Sequence, residues 1–417
     1  MKLTRTQREA IFDKTSKIVE TRYFDPHFNG KEWPAIARRN RSEILAIDDP
    51  EKFETAMHQL VRQLGTSHTG FFHESLHRVP GRLAICATFR KHETAEGNYW
   101  MFQDVHEGGP AARAGIRPLD LLLAINQKRI APPEQPTFPM GAEATVTIRK
   151  FDDGDVLLKL PIPKPRSRRT PYAEPKAIVH RKLEGNVGYL KAVIFPGLLG
   201  IDVAREIDHA VRALGDCDRL IIDLRGHLGG GLGVLRLMSY LTPDRVPIGY
   251  TVTRRMAGRG YVKERLPRFG HIPSSKWGVL PLAFRFMGRD ESVVLMTEGL
   301  GPQKFHGKIV LLVNQHTASA GEMVCAFASE NKLATIVGVQ TAGRLLGGKG
   351  YKVGYGYLAI LPGAAFFTWQ GRSFEGQGVV PDLMVPWSDD IAEKAIITNS
   401  RLPLEWFGLY RYSRADG

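Results

Sequence analysis

Residues 311–325 read LLVNQHTASAGEMVC, an apolar strand that leads into a serine at the mouth of a helix. A serine at such a strand-to-helix turn exposes its hydroxyl and carries backbone N–H groups beside it, which suits a nucleophile with a built-in oxyanion site. Ser319 is therefore the candidate nucleophile. The same four residues, Ser319-Ala-Gly-Glu322, also spell a capping box, with Ser319 as N-cap and Glu322 reaching back from the third helical position. Local sequence alone favours that structural reading, and the rest of the chain reverses the ranking.

Two other segments supply what such a serine lacks. Leu64-Gly-Thr-Ser67-His68-Thr-Gly70 puts a histidine in a short polar loop after an amphipathic helix, where Ser67 can orient a partner. Glu375 opens Glu375-Gly-Gln-Gly-Val-Val-Pro-Asp382, a glycine-rich turn into a strand. Taken singly, His68 reads as a solvated loop histidine and Glu375 as an exposed turn carboxylate.

Together with Asp223-Leu-Arg-Gly-His-Leu-Gly229-Gly230-Gly231, these segments resemble the superfamily of tail-specific (C-terminal processing) proteases and tricorn protease. Six motifs occur in the family's order: Gly65-Thr-Ser-His68, a PDZ-like segment, the DLR-x-x-x-GG turn, Asn314-x-x-Thr-Ala-Ser319, Thr341-Ala-Gly343, and Glu375-Gly-x-Gly-Val-x-Pro-Asp382. Two catalytic solutions exist in that superfamily. In the Ser–Lys dyad the lysine sits 25 residues past the nucleophile, where this chain has Arg344. An arginine stays protonated at any working pH and cannot serve as the base. The tricorn branch uses a Ser–His–Ser–Glu set, and Ser67, His68, Ser319 and Glu375 fit that pattern.

The resemblance implies serine acyl transfer. His68 takes the proton from Ser319 and returns it to the leaving amine, a role for a group titrating near neutrality. Ser67 and Glu375 complete a network that orients and polarises the imidazole. The oxyanion is held by the N–H of Ala320 and by one from the Gly229-Gly230 turn. Glycines there also have a structural reading, because a tight turn needs positive φ and close backbone approach in any case. A rival within the class is a Ser319–Lys349 dyad, with the Gly348-Lys349-Gly350 turn slipped by five residues. A rival outside it is a catalytically idle PDZ scaffold or ligand carrier on the same fold.

The chemistry needs no cofactor. No G-x-G-x-x-G or G-x-x-x-x-G-K-[ST] occurs, and His68, His73 and His77 lack H-E-x-x-H and any matching cysteine set, so no metal is indicated. The 57 Lys and Arg against 43 Asp and Glu leave a formal charge of +14. Much of it clusters at Lys164–Arg169 and Arg254–Arg268 without any nucleic-acid-binding signature, so a solvated linker or substrate steering is expected rather than nucleic acid. The N-terminus has no apolar leader core and no run of about 18 apolar residues occurs, while three widely spaced cysteines argue against a disulfide framework. The expected location is cytoplasmic, with no membrane span. The expected partner is a peptide or unfolded protein, recognised by its C-terminus through a PDZ-like groove; oligomeric assembly is left open.

The elements that must position these residues divide the chain. Residues 1–77 read as a helical cap that ends in the Ser67-His68 loop. Residues 78–163 alternate in short strands, among them Ala84–Phe89, Tyr99–Phe102 and Ala144–Ile148, and resemble a circularly permuted PDZ domain. After the stiff Pro161–Pro171 linker, residues 164–417 alternate strands and helices as an α/β peptidase domain, with 250–300 as an insertion of unassigned role. The resemblance implies a crotonase-like core, which places Ser319 and the Gly229-Gly230 turn where strands end and helices begin.

Overall fold

The computed structural model describes residues 3–75, 78–151, 154–164, 173–273, 290 and 292–385. Most of the Pro161–Pro171 linker and much of the 250–300 insertion lie outside these residues. Among the described residues no helix is long and apolar enough to cross a membrane.

The architecture is mixed α/β. One six-stranded sheet runs in the order 178–183, 187–192, 219–223, 309–313, 335–338, 383–384. The first pair is antiparallel and every later pair parallel. Strands Arg219–Asp223 and Ile309–Val313 are near-continuous apolar runs because both faces of a parallel sheet are covered. The amphipathic helix Ile201–Ala213 buries Val203, Ile207 and Val211 in the core cluster that includes Leu220, Ile222 and Leu311. The helix Ala320–Glu330 buries Val324, Cys325 and Phe327 in the same core.

A second sheet joins chain segments far apart in sequence. Strand Gly70–His73 pairs with the long strand Tyr357–Thr368, which also pairs with Pro247–Thr253 and Gly347–Gly354. The N-terminal helices Arg5–Arg22, Trp33–Leu45 and Pro50–Arg62 bury Trp33, Phe53 and Met57 in one cluster with Val353, Tyr357, Ala359 and Leu361. The helical segment thus completes its core only with strands of the C-terminal half, and this pins the Ser67-His68 loop to that half.

Residues 87–161 form a third sheet, ordered 87–94, 97–105, 121–125, 143–150, 154–161, with its own core around Phe102, Phe138 and Ile148. The expected strand over Ala84–Phe89 begins later, at Ala87. Gly81–Ala84 is a helical turn, and Cys86 at φ 57° separates the two. A left-handed residue breaks an apolar run that period alone reads as continuous.

This sheet is wired into the parallel one by buried polar contacts. The Asp104 carboxylate accepts from Thr88 Oγ1 (2.5 Å) and from Asn314 Nδ2 (3.0 and 3.1 Å). Asn314 Oδ1 in turn accepts from the N–H groups of Gly226 and His316, each at 3.0 Å.

Candidate active site

Three turns converge on Ser319. The first is the serine's own. Ser319 adopts φ 56° and ψ −119°, a strained conformation for a residue with a Cβ. Its N–H donates to Glu322 Oε2 (3.0 Å), as a capping box requires. The Glu322 N–H, however, bonds the Ser319 carbonyl at 2.8 Å, and the capping-box contact of the Ser319 side chain with that N–H is too loose to be a cap hydrogen bond. The strained turn sets the hydroxyl beside Gly229 at a sharp strand-to-helix elbow.

The second turn follows strand Arg219–Asp223. Asp223 accepts from Tyr189 Oη (2.7 Å), Lys191 Nζ (3.1 Å), and Arg225 Nε and Nη2 (2.9 and 2.8 Å). Burial alone would raise the Asp223 carboxyl. The Arg225 and Lys191 charges, with the hydrogen bonds from Arg225 and Tyr189, outweigh it and hold the group well below the usual carboxylate range. A group depressed in this way contributes stability that is present above its unfolded value of about 3.9 and lost as pH falls through the folded one. Asp223→Asn leaves two partly buried cations without their counter-charge and is expected to cost about 3–5 kcal/mol, read by urea denaturation at neutral pH. A loss under about 1 kcal/mol would show that Asp223 does not anchor the turn.

The three glycines of that turn are needed for different reasons. A Cβ on Gly230 would lie 2.2 Å from the Phe195 carbonyl oxygen, and one on Gly231 2.0 Å from that of Gly197, so both are required by backbone crossing. A Cβ on Gly229 would instead lie 3.0 Å from Ser319 Cβ and 3.3 Å from its Oγ. Gly229 is the one that faces the nucleophile. The N–H groups of Gly229 and Ala320 donate to no protein acceptor among the described residues.

The third turn, 341–345, ties the serine to the histidine. Glu322 is fully buried and accepts from Thr341 Oγ1 (2.6 Å) and the N–H groups of Gly343 (2.6 Å) and Arg344 (2.7 Å), besides Ser319. The next amide, Leu345 N–H, donates to Glu375 Oε2 at 2.9 Å. Glu375 also accepts from Ser67 N–H (2.6 Å) and Ser67 Oγ (2.9 Å), and Ser67 Oγ lies 2.8 Å from His68 Nδ1. Consecutive amides therefore bind two carboxylates, one supporting Ser319 and one supporting His68. The ring of His68 packs against Gly348, where a Cβ would come within 3.2 Å of it.

The hydrogen-bond directions assign the tautomer. The Glu375 carboxylate can only accept, so the single Ser67 hydroxyl proton goes to it. Ser67 Oγ must then accept from His68 Nδ1–H, which leaves the lone pair on Nε2. Burial is the main influence lowering the His68 pKa; Glu375 raises it, and Arg344 and Arg82 lower it further, for a net value below the ordinary one. Burial likewise pushes the Glu322 carboxyl up, against the hydrogen bonds it accepts. Ser319 Oγ makes no hydrogen bond among the described residues. Apo catalytic contacts commonly close only with substrate.

Of the residues singled out from sequence, Ser67, His68 and Glu375 share one hydrogen-bonded chain, and Ser319, Gly229 and Ala320 meet at the elbow. Gly230 is a backbone neighbour of that site. Lys349 lies in strand Gly347–Gly354 directly after Gly348, so strand alternation turns it from the face that meets His68. Glu322 was legible only as a cap, since its partners 341–344 are distant in sequence. Arg82, which bears on His68, carried no signal. Among the described residues no cluster of His, Cys, Asp and Glu could hold a metal ion.

Residues 186–385 match the model of Peptidase family S41. The chain is 22% identical over 394 residues to the Putative tricorn protease homolog 2 of Streptomyces coelicolor, covering 89% of this chain and 30% of that protein. It is 23% identical over 398 residues to the Carboxyl-terminal-processing protease of Synechocystis sp., covering 91% of this chain and 81% of that one. It thus spans about a third of the tricorn homologues it matches. The photosystem II D1 C-terminal processing protease superposes with a TM-score of 0.55 at 16% identity, over 92% of this chain and 94% of the other, and shares its mixed α/β fold. The similarity to peptidase family S41 thus runs over residues 186–385, just under half of the chain, and these relatives extend it at 22–23% identity over about nine-tenths of the chain.

Proposed function

We propose that this protein is a serine peptidase that hydrolyses peptide bonds through an acyl-enzyme on Ser319, with His68 as general base. The observation that carries the reading is the peptide segment 343–345, whose amides hold the carboxylate beneath Ser319 and the carboxylate behind the Ser67–His68 pair. His68 Nε2 accepts the Ser319 proton as Oγ attacks the scissile carbonyl. The developing oxyanion takes hydrogen bonds from Gly229 and Ala320 N–H. His68 Nε2–H then protonates the leaving amine, and water enters by the same route in reverse to release the acyl group. Glu375, acting through Ser67, stabilises the imidazolium formed in both half-reactions.

Arg344 at the dyad position and the outward turn of Lys349 support the histidine-based site over a Ser–Lys pair. Residues 78–163 are read as the PDZ-like domain and the parallel-sheet half as the crotonase-like core, with polypeptide C-termini as the substrate class. Three free, buried cysteines suit a reducing compartment such as the cytoplasm. A fluorophosphonate probe tests the assignment. Stoichiometric labelling of Ser319, lost in His68→Ala, is expected; absence of labelling in folded protein returns the chain to an idle scaffold.

A further inference from the structure

The third sheet meets the parallel-sheet core at the two turns that carry the proposed nucleophile and its oxyanion donor. On the core side these are residues 314–317, which end two residues before Ser319, and Gly226, three residues before Gly229. On the other side lie strands Ala87–Thr94 and Gly97–Val105. His316 Nε2 lies 3.0 Å from the Phe89 carbonyl oxygen, and Gln103 and Gln315 exchange side-chain amide hydrogen bonds at 2.6 and 3.3 Å. His106 Nε2 lies 3.0 Å from the Gly226 carbonyl oxygen. The polar contacts of the seam thus gather on the two segments that must stay in register for acyl transfer.

Asp104 is buried at the centre of this seam. Its carboxylate accepts from Thr88 Oγ1 and from Asn314 Nδ2, while Asn314 Oδ1 accepts the N–H groups of Gly226 and His316. The Asn314 N–H donates to Thr317 Oγ1 (3.0 Å), and that hydroxyl donates to the Leu224 carbonyl (2.8 Å). The two backbone donors fix the side-chain amide: Oδ1 must face them, so Nδ2 must face an acceptor. The third sheet supplies that acceptor. One asparagine thereby clamps the oxyanion turn to the strand end that leads into Ser319, and Asp104 sets the direction in which it points. Gly226, at φ 70°, is in direct contact with Asp104, since a Cβ there would come within 2.7 Å of the carboxylate carbon.

We propose that Asp104 is a positioning residue for the reaction: through Asn314 it holds the Gly226–Gly229 turn and the Ser319 elbow in register, so that the third sheet is a working part of the catalytic unit. The inference rests on the peptidase reading above, since it needs a nucleophile at Ser319. Asp104 acts through Asn314 and not on the reacting atoms. What it controls is where the Gly229 N–H stands relative to Ser319 Oγ, and a misplacement of about 1 Å can cost on the order of 10²-fold in rate. Asp104→Asn keeps the shape but turns an amide NH2 toward Asn314 Nδ2, so that two donors face each other. Flipping the Asn314 amide only moves the conflict to the N–H groups of Gly226 and His316. The exchange Asp104→Asn/Asn314→Asp removes it. The amide at position 104 then donates to one oxygen of the carboxylate at position 314, whose other oxygen keeps both N–H groups, and Thr88 still finds an acceptor.

The test follows labelling of Ser319 by a fluorophosphonate probe in the wild type, Asp104→Asn and the exchange, each shown to be folded by urea denaturation. The maximal labelling rate reads the attack step, and the half-saturating probe concentration reads binding. In Asp104→Asn the maximal rate is expected to fall roughly 10–10²-fold with half-saturation within about twofold of wild type. In the exchange the rate is expected to return to within about fivefold of wild type, because contacting residues act as a pair. A folded Asp104→Asn that labels at the wild-type rate, whatever its loss of stability, makes Asp104 a fold-stabilising residue only. A folded exchange as slow as the single variant, or a change confined to half-saturation, also overturns the proposal. Should Asp104→Asn fail to fold, Thr88→Val decides, since it removes one anchor of the carboxylate and keeps its charge. A loss of about threefold or more in maximal rate then supports the proposal, and an unchanged rate overturns it. A folded wild type that does not label at all removes the nucleophile reading and this inference with it, an outcome distinct from every other.

Discussion

Ser319→Ala is expected to lower peptide hydrolysis by roughly 10⁶-fold while leaving the fold and its stability essentially unchanged. The rate loss follows from the loss of the covalent route, which leaves only oxyanion stabilisation and binding. The stability expectation separates the two roles of this position. Loss of a working N-cap side chain costs about 0.5–2 kcal/mol. Here the Ser319 side chain makes no cap hydrogen bond, and the Glu322 contact is to its backbone N–H, which alanine keeps. Urea denaturation should therefore place the variant within about 0.5 kcal/mol of wild type. Activity retained at the wild-type level, with a cap-sized loss of stability, would make Ser319 a helix cap and nothing more.

His68→Ala is expected to be nearly as damaging, roughly 10⁴–10⁶-fold in kcat, whereas Lys349→Ala keeps most activity. The pH profile adds an independent check with a defined sign. Because the His68 pKa is held below its ordinary value of 6.5, its neutral, base-competent form prevails at pH 7, and the rising limb of kcat/KM lies on the acid side of 6.5. Glu375→Gln removes the negative charge that raises His68, so the limb moves further to acid as kcat falls. Arg344→Gln removes a positive charge and moves it the other way. An inactive Lys349→Ala beside an active His68→Ala would assign the chemistry to a Ser–Lys pair.

The pieces of this site were legible to very different degrees. Ser319 could be found from sequence because a strand, a turn and a helix are local and their periods overlap in one short window. The Asp223 and Gly229–Gly231 turn was legible for the same reason. His68 and Glu375 carried little signal by themselves. The Ser67–Glu375 contact spans 308 residues, and only the ordered set of motifs suggested that the two belong together.

What the sequence by itself determined is the inventory and the order: an apolar parallel-sheet core, helices with one buried face, and short polar turns at strand ends carrying the serine, the histidine and the carboxylates. The tertiary structure decided which of two roles each group takes. It gave Ser319 a positive φ at the elbow, and separated Gly229, which faces the nucleophile, from Gly230 and Gly231, which admit crossing backbone. It made Glu322 a four-bond hub, and it brought the first helices onto strands some 300 residues later. Period and propensity report a residue's own neighbourhood along the chain. The roles of Ser319 and Glu322 depend instead on groups that meet only when distant segments pack, and packing is set by the whole buried surface rather than by any one stretch of sequence.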